Sequence, residues 1–239
     1  MKYKMTIAYD GTHYGGWQIQ SNTLSIQEVI EQVLFRLTQQ QIPTIVSGRT
    51  DAGVHANGQV AHFESEKSIS LKSLNSLLPP DIRILSLEEV DPSFHARFSV
   101  KEKIYRYHFC TSRVQSPFER GYTLHCLYPL NREEITSAST HFIGTHDFTS
   151  FANELDPRRD PVKTLFELSL IPTSSGFTLK FRGNGFLYKM VRNITGTLID
   201  IGRGKLSEKC IPELLALKSR HKLSTTAPPH GLFLDSVVY

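Results

Sequence analysis

The chain has 239 residues, of which 39% are hydrophobic and 21% charged, with a formal net charge of +4. That composition supports a buried core and excludes a disordered chain, while no apolar run approaches the roughly 20 residues a membrane-spanning helix needs. Its three cysteines, at 110, 126 and 210, form no closely spaced pair and point to a reduced, cytoplasmic protein. The N-terminus, Met1 to Thr6, runs straight into a strand pattern, so no secretory leader is expected.

Tyr3, Met5, Ile7 and Tyr9 alternate with Lys2, Lys4, Thr6 and Ala8, the period of a strand with one buried face, ended by Asp10-Gly11. Ile26, Val29, Ile30, Val33, Leu34 and Leu37 then recur at helical spacing behind Ser25 and Glu28, which fit a capping box. Short strands are expected over Thr44–Ser47 and Gly58–Phe63, flanking a polar loop. A short helix follows at Leu71–Leu78, stopped by Pro79-Pro80, and then a strand at Ile82–Val90.

The same order returns. Lys103–Cys110 alternates as a strand, and Asn131 and Glu134 cap a helix from Arg132 to about Phe142. Val162–Ile171 and Phe177–Arg182 read as strands joined at Ser174-Ser175-Gly176. Leu187, Met190, Val191, Ile194, Leu198 and Ile201 give a helix that stops at Gly202 and Gly204. A short helix follows Ser207, and Leu232–Val238 closes the chain as a strand. Two units of one element order predict an α+β protein of two ferredoxin-like halves, 1–100 and 101–239. Each is expected as a mainly antiparallel sheet with helices on one face, and a cleft between the sheets would suit an elongated ligand.

Charge is concentrated late. From Lys180 to Lys222 ten Lys or Arg face three acids, a surplus that suits a polyanion as well as it suits a solvated basic surface. The densest polar segment is Ser47 to Gln59, which holds three glycines, Arg49, Asp51 and His55. Glycines let backbone approach closely, and a carboxylate beside them suits a nucleophile or base. An Asp-Ala-Gly turn in which Asp51 bonds its own backbone explains the same residues. Asp51, His55 and His62 match no usual zinc spacing, and no hydrolase elbow, Walker loop or dinucleotide fingerprint occurs.

The run Gly48-Arg49-Thr50-Asp51-Ala52-Gly53-Val54-His55-Ala56 resembles the signature of the tRNA pseudouridine synthase A family. Further stretches agree in order: Tyr9-Asp10-Gly11, Gly15-Gly16-Trp17-Gln18, Gln27-Glu28 and Phe94-His95-Ala96-Arg97-Phe98-Ser99. Tyr105-Arg106-Tyr107, Asp147 to Phe151, Met190-Val191-Arg192-Asn193-Ile194 and Gly231 to Leu234 continue the series over nearly the whole chain. Between Ala152 and Val162 the chain matches no such signature.

The resemblance implies an enzyme that isomerises uridine to pseudouridine at nucleotides 38, 39 and 40 of the tRNA anticodon stem-loop. It implies a homodimer with an RNA-binding cleft, and no metal or organic cofactor. Asp51 is then the catalytic carboxylate, attacking sugar or uracil or removing a sugar proton. Arg192 would compensate its charge, Tyr105 would stack on the target base, and Arg49 would position RNA. Arg158-Arg159 and the basic C-terminal half are expected phosphate contacts. A non-catalytic tRNA-binding protein and a metal-dependent hydrolase using Asp51, His55 and His62 are the alternatives.

Overall fold

The computed structural model describes residues 1–153, 160–219 and 225–239. Arg158, Arg159, Arg220 and Lys222, expected as basic contacts, lie outside the described residues. The chain is mixed α/β with mainly antiparallel strands, and it divides into two compact units, Met1–Lys101 with Phe233–Tyr239, and Glu102–Leu232.

The first unit contains β1 (Lys2–Tyr9), α1 (Ile26–Thr38), β2 (Ile45–Val46), β3 (His55–Glu64), α2 (Leu71–Leu77) and β4 (Ile82–Glu89). β1 lies between β4 and β3, antiparallel to both, and β2 pairs antiparallel with β3 on its other side. The alternation in β1 does what period two requires: Tyr3, Met5, Ile7 and Tyr9 are buried, as are Ile26, Ile30, Val33 and Leu34 on one face of α1, and the Tyr3 ring stacks on Phe63 of β3 at 5.3 Å. Ser25 caps α1 by accepting the Glu28 amide at 3.2 Å, but the expected reciprocal half is replaced: the Glu28 carboxylate accepts Gln32 Nε2 one turn on. β3 also begins three residues earlier than its apolar run suggests. His55 and Gln59 are wholly buried polar residues, which apolar periodicity does not register.

The second unit contains β5 (Glu102–Cys110), β6 (Leu124–His125), α3 (Arg132–Thr140), β7 (Gly144–Asp147), β8 (Val162–Pro172), β9 (Gly176–Gly183), α4 (Met190–Gly202) and α5 (Cys210–Leu217). Its strands run in the order β5, β9, β8, β7, all antiparallel, with β6 parallel to β5. Tyr107, Phe109, Phe177, Leu179 and Phe181 bury one aromatic face, and Phe109 stacks on Phe177 with ring centres 4.4 Å apart. β6 and β7 are four residues or fewer, too short for a periodic signal.

The last strand, β10 (Leu232–Val238), returns to the first unit from Phe233 onward. Phe233 and Leu234 pair in parallel with His55 and Ala56 of β3, and the Phe233 ring stacks on His55 at 4.6 Å. Gly58 makes this possible, since a Cβ there would sit 2.7 Å from the Asp235 carbonyl oxygen.

One histidine at the far end of β3 ties strand to loop. His62 is buried, and its Nδ1 accepts the Ala96 amide at 3.1 Å. Burial, then the charges of His95 and Lys2, push its pKa below the ordinary value, against a smaller upward pull from Glu64. The unfolded chain therefore takes up this proton at higher pH than the folded one. Stability contributed here is present at neutral pH and is lost as pH falls below about 6.5, until the depressed folded pKa is passed. Thermal unfolding should show a fall from about pH 7.5 to about pH 5.5 that is smaller in His62→Asn, whose Oδ1 can still accept the amide. An equal fall in both proteins would remove His62 from this account.

Candidate active site

The segment from Ser47 to Val54 crosses from β2 to β3 and carries Asp51 and Arg49. Its shape follows from two glycines elsewhere. A Cβ on Gly11 would lie 2.0 Å from the Val54 carbonyl oxygen, and one on Gly16 would lie 2.5 Å from that of Thr50. Gly16 also has φ +93, a conformation that L side chains rarely adopt. Backbone therefore packs directly on backbone, and the Thr50 carbonyl accepts the Trp17 amide at 3.1 Å. Asp51 to Val54 forms a turn in which the Val54 amide bonds the Asp51 carbonyl at 3.1 Å, with Gly53 at φ +74 in the third position. The Asp-Ala-Gly turn and the candidate catalytic residue are thus the same feature: the turn sets the Asp51 backbone, and the half-buried side chain projects from its first position.

A buried polar network supports this loop from beneath. Gln59 donates through Nε2 to the Gly48 carbonyl at 2.9 Å and to the Tyr9 hydroxyl at 3.4 Å. Its Oε1 accepts the Ser47 hydroxyl at 2.8 Å and the Val60 amide at 3.1 Å. Tyr9 and Thr50 share a hydrogen bond at 2.7 Å. Burial pushes the Tyr9 pKa up to about 12, against the opposing pull of its bonds to Thr50 and Gln59, so the phenol stays protonated and keeps this geometry. Behind the loop, His55 Nδ1 lies 3.0 Å from the Gly11 amide and 3.1 Å from Asp10 Oδ1. The neutral ring accepts from the amide, and the protonated ring donates to the carboxylate. Local sequence pattern does not mark Tyr9, Gln59 and His55 as structural supports. A lone Gln beside Val60 and Ala61 in an apolar strand was the available signal.

Arg49 is exposed, and its guanidinium donates to Gln18 rather than to an acid within its own loop. Tyr105 and Arg192 belong to the second unit. Tyr105 is buried on β5 and meets Phe186 edge to face at 5.1 Å. Arg192 sits in the first turn of α4, half-buried. Its Nε donates to the Ala227 carbonyl at 2.8 Å, and the Ala227 amide donates back to the Arg192 carbonyl at 3.1 Å. Its charge also acts on the buried Tyr107, whose pKa burial raises well above the phenolic range. The neighbouring Asn193 is buried and donates to Phe151 O at 2.7 Å and Asn153 Oδ1 at 3.0 Å, while its Oδ1 accepts the Thr226 hydroxyl at 2.7 Å. This side chain binds three segments together, and Gly196 lets residue 225 cross α4, because a Cβ there would overlap the Thr225 carbonyl oxygen at 1.8 Å.

Much of the basic C-terminal stretch is neutralised within its own unit. Lys180 and Arg182 pair with Glu167 at 2.8 and 3.6 Å, Arg182 also with Glu102 at 3.0 Å, and Lys218 with Asp147 at 3.0 Å. The Lys180 bond, with Ser169 and Arg182, holds the Glu167 carboxyl below its ordinary value against partial burial. Among the described residues no group of three His, Cys, Asp or Glu could hold a metal ion. His55 and His62 stand seven apart on β3, with a register shift of the β1–β3 ladder between them, and bond different loops.

A family model described as tRNA pseudouridine synthase matches residues 5–99 and 138–239. The chain belongs to the tRNA pseudouridine synthase family. Full-length relatives agree. The chain is 48% identical over 245 residues to tRNA pseudouridine synthase A 1 of Protochlamydia amoebophila, covering 99% of this chain and 96% of that one. It is 46% identical to tRNA pseudouridine synthase A of Bacillus pumilus and 43% to that of Bacillus subtilis, covering 100% of this chain and 99% of each. As a pseudouridine synthase it is an isomerase, and no helix among its described residues is long and apolar enough to cross a membrane.

The glycine contacts give a graded test by urea unfolding. Gly16→Ala should cost about 1–3 kcal/mol, through positive φ and the clash together. Gly204→Ala has positive φ, +68, but open space, and should cost about 1 kcal/mol. Gly121→Ala, with neither, should be neutral or slightly stabilising. A Gly16→Ala protein as stable as the parent would contradict the packing of loop backbone on this glycine.

Proposed function

We propose that the protein converts uridine to pseudouridine at nucleotides 38, 39 and 40 of the tRNA anticodon stem-loop, with Asp51 as its catalytic carboxylate. The observation that carries this reading is the pinned Asp51 turn, fixed by two glycine contacts and a buried network, in a chain that aligns end to end with relatives of that name. The C1'–N1 bond breaks, the uracil turns, C5 bonds to C1', the C5 hydrogen leaves as a proton, and N1 takes up a proton. No net oxidation occurs, so the isomerisation requires no redox partner. Asp51 serves either by attacking sugar or uracil, or by removing a sugar proton.

Arg192 supplies the compensating cation for Asp51; its anchoring to Ala227 supports that role, because a fixed guanidinium loses little freedom on pairing with a carboxylate. Tyr105 offers the face of a ring already held by Phe186 to the flipped base, a contact worth about 1–3 kcal/mol. Arg49, exposed beside Asp51, steadies the RNA backbone. The protein acts in the cytoplasm as a homodimer on one tRNA. Each half has a ferredoxin-like plan, supported in the first unit by the strand order β4, β1, β3, β2.

Unmodified tRNA carrying tritium at C5 of uridine tests this directly, since forming the new bond releases tritium into water. The parent should release it with chelator present. Asp51→Asn should lower the rate by about 10³-fold or more while still binding tRNA. Arg192→Gln should lower kcat more than it raises KM. A folded parent that binds tRNA but releases no tritium from several tRNAs would make this a non-catalytic tRNA-binding protein. Equal release by Asp51→Asn would keep the enzyme and move its centre elsewhere.

A further inference from the structure

We infer that an open concavity of about 370 Å³ in the second unit, walled by Arg113 and Arg132, is a binding site for backbone phosphates of tRNA. This rests on the tRNA reading above and concerns a surface that reading does not use.

Charge is the first ground. Two guanidinium groups and the hydroxyls of Thr111, Ser112 and Tyr128 line the concavity, and no carboxylate does. The lysines and arginines paired with Glu167, Glu102 and Asp147 have their charge cancelled inside the unit. Arg113 and Arg132 form no such ion pair among the described residues. Their charge is therefore available to displace counterions from a polyanion.

Preorganisation is the second. Arg132 lies over the Phe177 ring at 5.4 Å, and its Nη2 donates to the Thr111 hydroxyl at 3.1 Å, so its guanidinium plane is set before any ligand arrives. A third guanidinium, that of Arg203, lies 4.0 Å over the ring of Tyr128 and adds to the local positive field. A planar fork held in this way suits two oxygens of one phosphate.

The form of the surface favours a chain of phosphates over a small ion. Leu127, Pro129 and Leu130 also line the concavity, which is open to solvent, whereas a lone ion needs enclosure by donors. The segment from Thr111 to Thr123, which carries Arg113, also presents Phe118, 87% exposed. An exposed ring in a loop that also carries a cation is the chemistry that grips unstacked bases beside their backbone.

The test compares the parent with Arg113→Gln/Arg132→Gln in tRNA binding by fluorescence anisotropy across a salt series, after thermal unfolding confirms that both are folded. The double variant should bind tRNA about ten-fold more weakly, with a slope of log affinity against log salt shallower by about two. Its KM for tritium release should rise by about the same factor as its affinity falls. Arg132→Lys, which keeps the charge, should retain the parent's slope. Unchanged affinity and slope in the folded double variant overturn the inference. So does a weaker affinity that light scattering traces to loss of a dimer, which would make the surface a contact between copies. Calorimetric binding of inorganic phosphate that is lost in the double variant, with tRNA affinity unchanged, would make it a small-anion site and overturn it too. A parent that releases tritium while the double variant matches it in every measurement leaves the proposed function standing without this site. A parent that binds no tRNA removes both.

Discussion

The approach of one loop's carbonyl oxygens to Gly11 and Gly16 is the constraint on which the first unit's site depends. With no Cβ at either position, the backbone from Thr50 to Val54 rests directly on the backbone that follows β1. Asp51 is thereby carried on a turn with little freedom to relax. Rigid support of this kind matters for a catalytic carboxylate, because an error of an ångström at the reacting atoms costs orders of magnitude in rate. The contact is also intolerant, since main-chain atoms cannot swing aside as the end of a long side chain can.

Beneath that contact lies a second device of a different nature. Gln59, Tyr9, Thr50 and Ser47 form a buried network whose bonds end on the loop's own carbonyl at Gly48. Buried polar groups are costly unless paired, so such a network specifies one arrangement more sharply than an apolar core would. In the second unit Asn193 plays the corresponding part. It joins α4 to residues 151, 153 and 226 and so fixes the helix turn on which Arg192 stands.

The regular elements were largely legible because burial on one face writes a period into the sequence. β1, α1, β4, β5 and α4 were all expected near the places where they occur. The exceptions share a cause. β3 starts among polar residues that are buried by tertiary contact, and β6 and β7 are too short to show a period. Glu28 bonds Gln32 rather than completing its capping box, because two geometries of similar energy were open to it. Among the site residues, Asp51 was marked by its glycine-rich surroundings. Gln59 and His55 were not marked as supports, because only their partners across the sheet reveal what they hold.

The charge pattern makes the same division. Sequence by itself determined that the segment after Lys180 is rich in Lys and Arg, that Asp51 lies in a glycine-bounded loop, and that an α+β chain of this composition has a core to bury. Those are properties of composition and local period, which neighbours in sequence are enough to express. Only the tertiary structure decided which cations are cancelled, by Glu167, Glu102 and Asp147, and that Arg113 and Arg132, distant from that segment, share one open wall. Likewise only the fold could set Gly11 and Gly16 under Val54 and Thr50, 43 and 34 residues away in sequence. Ion pairing and backbone contact are set by distance in space, and that distance is fixed when strands and helices pack, not by the order of residues along the chain.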